Sequence, residues 1–301
     1  MATLSPGKLL EQLMKKKEQL LPPATNTYRV ADGSPWPGIF IDALAGRLLV
    51  SLRDVELPQP LRLELEAGGR DVYIKHLSKG DKTAPTPLLP PRQPLCFAVQ
   101  EHGVQYLMDM ASGYSQGLFI DQRNNRAEVR RRCRPGTTLL NLFAYTGAFS
   151  VSAALGGATT TTLDLAQPCL TRCKENMELN GLDPAQHFFC KGDALHWLTS
   201  FARSGRRFDA IVLDPPTFSR DDKGRIWRAE KDYGDLVAKA AACLAPGGWM
   251  LCTTNCRKLS PAAFRSLVAS GAPPRAKLTA APMPADFDGE PYLKTLFIDT
   301  P

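Results

Sequence analysis

Residues 137–164 read TTLLNLFAYTGAFSVSAALGGATTTTLD, and this stretch decides the fold. It opens with an apolar run of strand length, Leu139 to Phe143, interrupted only by Asn141. A turn follows at Ala144-Tyr145-Thr146-Gly147, then a helix of small residues from Ala148 to Leu155. Gly156-Gly157 leads into a threonine-rich second strand that ends on Asp164. The pattern is β-turn-α-β with an acid about 20 residues beyond the first turn, the spacing that brings a carboxylate to a nucleotide ribose. Gly147 lacks a Cβ, so the backbone there is free to approach a ligand closely. The glycines fall short of the dinucleotide fingerprint, which disfavours a cofactor carrying a pyrophosphate. A strand-end acid needs no ligand, but the turn in front of Asp164 favours the ribose reading.

Downstream the same alternation continues. Strands are expected at 138–143, 159–164, 187–190, 208–213 and 248–254, with helices at 148–156, 167–180, 194–203, 229–244 and 261–270. Alternation on this period implies parallel strands with crossover helices, hence a doubly wound α/β sheet. Phe208 to Leu213 is nearly all apolar, as a central strand covered on both faces should be. Ligands in such sheets bind beyond the carboxyl ends of the strands. Those ends carry Ala144–Gly147, Asp164, Gly192-Asp193, Asp214–Phe218 and Asn255-Cys256. Asp193 could accept a hydrogen bond from an adenine amino group or cap the helix behind it, and its position leaves both open. Asp214-Pro215-Pro216-Thr217-Phe218 is the most specific local signal. Its prolines remove two backbone donors and stiffen the exit from the sheet. The result is a rigid lip with an acid and an aromatic ring, suited to holding a planar substrate to a tight tolerance.

Upstream the texture differs. Leu9, Leu10, Leu13, Met14 and Leu20 suggest a short amphipathic helix within residues 1–23. Residues 24–110 read as a small β-rich module. Ile39–Ile41 and Leu48–Val50 are joined through Asp42–Gly46, with a short helix at 59–68, a strand at 72–74, a proline-rich connector at 79–95 and strands at 95–99 and 104–108. A basic helix reaching Cys133 then opens a larger domain, 111–301.

Composition bounds the function. Hydrophobic residues make up 44% and charged residues 22% of 301, an ordinary globular balance. Apolar runs stay shorter than the roughly 18–20 residues of a membrane span, and the N-terminal lysines break up any secretory core. The eight cysteines contain no CxxC pair and the four histidines do not fall into ligand spacing with them, so free thiols, no metal and a cytoplasmic location are expected. The net charge is +7, with Arg123, Arg126, Arg130, Arg131, Arg132 and Arg134 clustered in one short stretch. Such a cluster suits a phosphate backbone, and equally a solvated helix face.

Five segments in order carry a family resemblance: VQYLMDMASGYSQGLFIDQRNNR, LLNLFAYTGAFS, TTTTLDLAQPCLTRCKENMELNGL, FDAIVLDPPTFS and TTNCRKLS. Together they resemble the class I S-adenosylmethionine-dependent methyltransferases that modify 23S ribosomal RNA, over roughly residues 100–300. RVADGSPWPGIFIDALAGRLLV is similar to the small β-module preceding that family's catalytic domain. The resemblance implies a Rossmann-like methyltransferase sheet behind a small N-terminal β-rich module, with an antiparallel strand near Tyr292 to Ile298. It implies that Asn141, Phe143, Tyr145, Thr146 and Gly147 surround the methionine moiety of S-adenosyl-L-methionine, Asp164 the ribose and Asp193 the adenine. Asp214, Pro215, Pro216 and Phe218 would carry the target base. The segment from Phe119 to Arg123 would close over the cofactor's amino-acid end. Many members carry an N-terminal RNA-binding module of the PUA type, for which the residues before the β-module here are too few. The implied partner is ribosomal RNA or a pre-ribosomal particle.

Two acceptor chemistries fit. Guanine N7 offers a lone pair and needs little beyond alignment. Cytosine C5 needs a thiolate to add at C6, and Cys256, beside Arg257 and Lys258, stands where the cytosine-type members place one. LGGATTTTLDLA, DPPTFS and the pattern of Thr254 to Arg257 look more like the guanine-N7 members. A basic assembly factor that keeps the fold without turnover is a third reading, weakened because Asp164, Asp193 and Asp214 are all present.

Overall fold

Ser5 starts the first helix by accepting a hydrogen bond from the Lys8 amide, with Pro6 in the first turn, where a missing N–H costs nothing. The computed structural model describes residues 5–78, 83–113, 115–220 and 226–301, with Arg220 described by its backbone alone. The chain divides into two units. Met1–Arg123 with Pro284–Glu290 forms one, and Asn124–Met283 with Pro291–Pro301 the other.

The first unit runs α1 (Pro6–Glu18), β1 (Thr27–Asp32), β2 (Ile39–Leu44), β3 (Arg47–Leu52), α2 (Gln59–Ala67), β4 (Val72–His76), β5 (Thr86–Pro87), β6 (Cys96–Glu101) and β7 (Val104–Asp109). Strands β1 to β5 form one sheet in sequence order, and β6 and β7 a separate hairpin. Leu10 and Met14 of α1 join Val30, Ile41, Val50, Leu61 and Leu65 in its core, so the N-terminal helix is part of this unit. The turn between β2 and β3 is tighter than the expected 42–46 connection. Only Ala45 and Gly46 lie outside the strands, both with positive φ (48° and 85°), the two-residue geometry that matches strand twist.

The units also divide at Arg123 rather than at 110/111. The chain beyond β7 stays with the first unit through the Asp109 amide donating to the Gln116 carbonyl. Segment 284–290 returns to the same unit. There the buried Asp286 carboxylate takes the Arg123 guanidinium and the Arg29 amide, while Lys17 Nζ donates to the Asp286 carbonyl at 2.6 Å and pairs with Asp288.

The second unit contains α3 (Arg123–Arg132), β8 (Thr138–Leu142), α4 (Ala148–Leu155), β9 (Thr159–Asp164), α5 (Gln167–Leu179), β10 (Phe188–Lys191), α6 (Ala194–Arg203), β11 (Phe208–Leu213), β12 (Phe218–Arg220), β13 (Ile226–Arg228), α7 (Ala229–Ala241), β14 (Leu244–Thr254), α8 (Pro261–Gly271), β15 (Lys277–Ala281) and β16 (Lys294–Asp299). Its seven-stranded sheet has the order β10-β9-β8-β11-β14-β16-β15. Strands β10, β9, β8, β11 and β14 are parallel neighbours, and β16 runs antiparallel between β14 and β15. Leu140, Leu142, Ile211, Leu213, Met250 and Cys252 pack against Leu198, Leu236 and Phe264 on one side. Leu139, Ala210, Val212 and Leu251 pack with Val129 and Phe149 on the other. The strand order reverses between β8 and β11, and that switch point is where a doubly wound sheet opens a crevice. Among the described residues no helix is long and apolar enough to cross a membrane.

Candidate active site

The register puts the predicted residues side by side. Leu142 pairs with Leu163 on one side and Leu213 on the other, and Asp164 pairs with Lys191. The chain therefore leaves β8, β9, β10 and β11 at neighbouring points along one rim.

After β8 the backbone takes positive φ at alternate residues: Phe143 (58°), Tyr145 (49°) and Gly147 (75°). Left-handed geometry costs a non-glycine residue about 1–3 kcal/mol and persists only where the surroundings enforce it. Here they do. The Tyr145 amide donates to Asp164 Oδ2 at 2.8 Å, the Ala144 amide to the Leu163 carbonyl at 3.0 Å, and Asn176 Nδ2 to the Thr146 carbonyl at 3.0 Å. Gly147 has a different reason from ligand approach. A Cβ there would lie 2.0 Å from Cys173 Sγ, so the glycine lets α4 start against α5.

Asp164 also accepts from the Ala166 amide on Oδ1 at 2.9 Å. Burial raises its pKa, opposed by the backbone donors of Ala166, Tyr145 and Leu165. With three backbone donors on about four lone-pair sites, the carboxylate keeps about one for a further donor. Asn141, buried in β8, donates from Nδ2 to Ser150 Oγ at 3.0 Å, and Thr162 Oγ1 donates to the same oxygen at 2.8 Å. Asn141 Oδ1 is buried with no hydrogen-bond partner. Asp193 caps α6, accepting from the His196 amide at 2.9 Å.

The lip is held from outside itself. Thr253 Oγ1 donates to Asp214 Oδ1 at 2.5 Å, and the buried Tyr233 hydroxyl lies against the Leu213 and Thr253 carbonyls at 3.0 and 2.9 Å. Burial holds the Tyr233 phenol well above its ordinary pKa, so it stays protonated. Trp227 Nε1 donates to the Pro216 carbonyl at 2.8 Å, and the Ala229 amide to that of Thr217 at 3.0 Å. Phe218 is 54% exposed, with the Arg228 guanidinium 6.0 Å from its ring centroid. Trp227, Tyr233, Thr253 and the β12–β13 hairpin do not emerge from the sequence reading. The only local hint is one tryptophan in a polar run.

Three expectations are corrected or narrowed. Arg123 belongs to the buried pair with Asp286, and its Nη1 also donates to the Thr27 carbonyl at 3.2 Å, which commits both terminal nitrogens of the guanidinium inside the first unit and leaves the buried Nε without a hydrogen-bond partner. Arg123, Arg126 and Arg132 of the arginine cluster are packed into the protein. Arg126 is buried over Phe149, and Arg132 joins Glu128, Asp299 and the rings of Trp249 and Phe297, whereas Arg131, paired with Glu128, is 71% exposed. Cys256 follows β14 as expected, but it is 5% exposed and belongs to the apolar cluster that includes Leu259 and Phe264. Lys294 Nζ donates to the carbonyls of Cys256 and Tyr292, and Arg257 lies 5.1 Å from the Tyr292 ring centroid. Among the described residues no group of His, Cys, Asp or Glu could hold a metal ion.

Known proteins match this arrangement. YwbD of Bacillus subtilis, named as a candidate ribosomal RNA large subunit methyltransferase, is 40% identical over 171 residues, 56% of this chain and 43% of its own length. Ribosomal RNA large subunit methyltransferase I of Cronobacter sakazakii is 31% identical over 260 residues, 82% of this chain and 65% of its own. The chain spans about half the length of the curated relatives it matches. A solved structure of SMU.776 in complex with SAH superposes with a TM-score of 0.87 at 28% identity, covering all of this chain and 83% of that one. Residues 41–298, nearly the whole fold, match the model of one family, and the chain belongs to it: the S-adenosylmethionine-dependent methyltransferases.

Proposed function

We propose that this methyltransferase acts on a base of large-subunit ribosomal RNA and that the acceptor atom is guanine N7. The relatives' names supply the RNA class, and the burial of Cys256 in an apolar cluster carries the choice of acceptor. A C5 reaction needs a thiolate that reaches C6, whereas a ring nitrogen with a lone pair needs only alignment.

The residues of the rim fit S-adenosyl-L-methionine. Asp164 has carboxylate acceptor capacity to spare for a ribose hydroxyl, and the unpartnered Asn141 Oδ1 suits a cofactor that brings hydrogen-bond donors. The turn of Phe143, Tyr145, Thr146 and Gly147 would enclose the methionine portion, with Asp193 at the adenine edge. When bound, the cofactor supplies an electrophilic methyl group. Asp214, Pro215 and Pro216 hold the base in line with it, and the exposed Phe218 ring gives the base a stacking surface. The substrate sets the place of action, the cytoplasm.

Cys256→Ala decides the acceptor. With ribosomal RNA and labelled cofactor, the variant should keep turnover within about threefold, and mass mapping should show 7-methylguanosine. Loss of turnover with 5-methylcytidine as the parent's product would overturn the N7 assignment. No incorporation into ribosomal RNA by the parent would overturn the substrate.

A further inference from the structure

We propose that Trp227 is a positioning residue for methyl transfer, fixing the base lip relative to the cofactor turn. This rests on the methyltransferase reading of the rim and goes beyond it, because Trp227 lies on neither the turn nor the lip.

The argument begins with the prolines. Pro215 and Pro216 contribute no N–H, so the lip cannot hold itself with its own backbone ladder. Donors must come from elsewhere. Trp227 meets the Pro216 carbonyl with Nε1 at 2.8 Å, in the middle of the lip. Its backbone, in β13, pairs with Ser219 of β12, so the side chain is carried by the strand paired with the one that continues the lip. The indole meanwhile packs with two rings. Its centroid lies 6.4 Å from that of Phe143 at 33°, and 6.4 Å from that of Tyr233 at 52°. Phe143 is the first residue of the cofactor turn and has φ 58°, while Tyr233 holds the end of β11 through the Leu213 carbonyl. One rigid side chain thus packs with the turn through its tilted ring and meets the lip through its N–H. Displacements of about 1 Å matter in a reaction that depends on alignment.

Two variants separate the parts. Trp227→Phe keeps a ring against Phe143 and removes the donor to Pro216, and Trp227→Ala removes both. Each is compared with the parent by calorimetric titration of S-adenosyl-L-methionine and by steady-state kinetics on ribosomal RNA. Trp227→Phe should lower kcat about fivefold, the effect of one lost hydrogen bond. Its cofactor Kd and its KM for RNA should stay within twofold, and Trp227→Ala should lose more. Tryptophan fluorescence adds a readout that needs no RNA. Of the four tryptophans, Trp227 should report cofactor binding, so the fluorescence change on titration should vanish in Trp227→Phe while the heat signal remains. Unchanged kcat in both variants, or a rise in cofactor Kd as large as the fall in kcat, would overturn the proposal. If the parent fails on ribosomal RNA, the substrate assignment falls, and the fluorescence change decides Trp227 by itself: persistence in Trp227→Phe overturns the role, disappearance supports it.

Discussion

Asp164 carries the sharpest prediction, because two roles meet in one carboxylate. It pins the turn through the Tyr145 and Ala166 amides, and it has acceptor capacity left for a ribose hydroxyl. A hydrogen bond to a charged group contributes about 1.5–3 kcal/mol. Asp164→Ala should therefore raise the Kd for S-adenosyl-L-methionine about ten- to hundredfold in a calorimetric titration. Asp164→Asn, which keeps the shape and one acceptor oxygen, should fall between the two. The pH dependence separates ligand from scaffold. Burial raises the folded-state pKa of Asp164, so the folded apo protein binds this proton more tightly than the unfolded chain. Its contribution to apo stability therefore grows as pH falls through that raised pKa. Cofactor affinity should move the other way, full above the raised pKa and lost below it, because the ionised form is the better acceptor. Asp164→Asn should flatten both curves. A Kd within twofold of the parent for Asp164→Ala, together with a shifted unfolding midpoint, would reduce Asp164 to a structural pin and refute the reasoning.

Other outcomes follow from single contacts. Asp286→Ala leaves the Arg123 charge buried without its carboxylate, and urea titration should show a loss of about 3–5 kcal/mol, with a smaller loss when Arg123→Met is added. Gly147→Ala combines a φ of 75° with a Cβ 2.0 Å from Cys173 Sγ, and should cost at least about 1–3 kcal/mol by the same assay. His187 Nδ1 accepts from the Thr160 amide at 3.1 Å, and burial lowers its pKa. Its stabilisation is present above the unfolded value of about 6.5 and is lost as pH falls through the lowered folded value. The slope of Tm between pH 7 and pH 5 should accordingly be shallower in His187→Gln.

The parallel half of the sheet was legible because its signals are local. The second strand ends on Asp164 as expected, and α6 spans 194–203 as expected because its cap residue directly precedes its apolar face. What escaped depends on contacts between distant residues. Gly147 is dictated by Cys173, and Arg123 finds its partner 163 residues away in Asp286, between the last expected helix and the final strand. The β12–β13 hairpin has the strands FSR and IWR, too short and too charged to show an alternating pattern, and it is tied down by the Trp227 side chain. The arginine run stayed open between two readings for the same reason: sequence shows six charges together, and only packing shows which of them turn inward.

That redistribution bears on the acceptor atom. A sulfonium methyl passing to a neutral ring nitrogen moves positive charge from donor to acceptor and releases no proton from a poor nucleophile, so the protein has to align rather than titrate. The rim suits that task. Asp164, Asp193 and Asp214 each hold a backbone or hydroxyl donor, and the lip is fixed by Trp227, Tyr233 and Thr253. A carbon acceptor asks for the opposite, an exposed thiol with a cation beside it. Cys256 sits in the apolar cluster, Lys294 points at main-chain oxygens, and Arg257 lies over Tyr292. A residue can therefore occupy a nucleophile's place in the sequence while its surroundings equip it for packing, and that contrast is the physical ground for proposing N7.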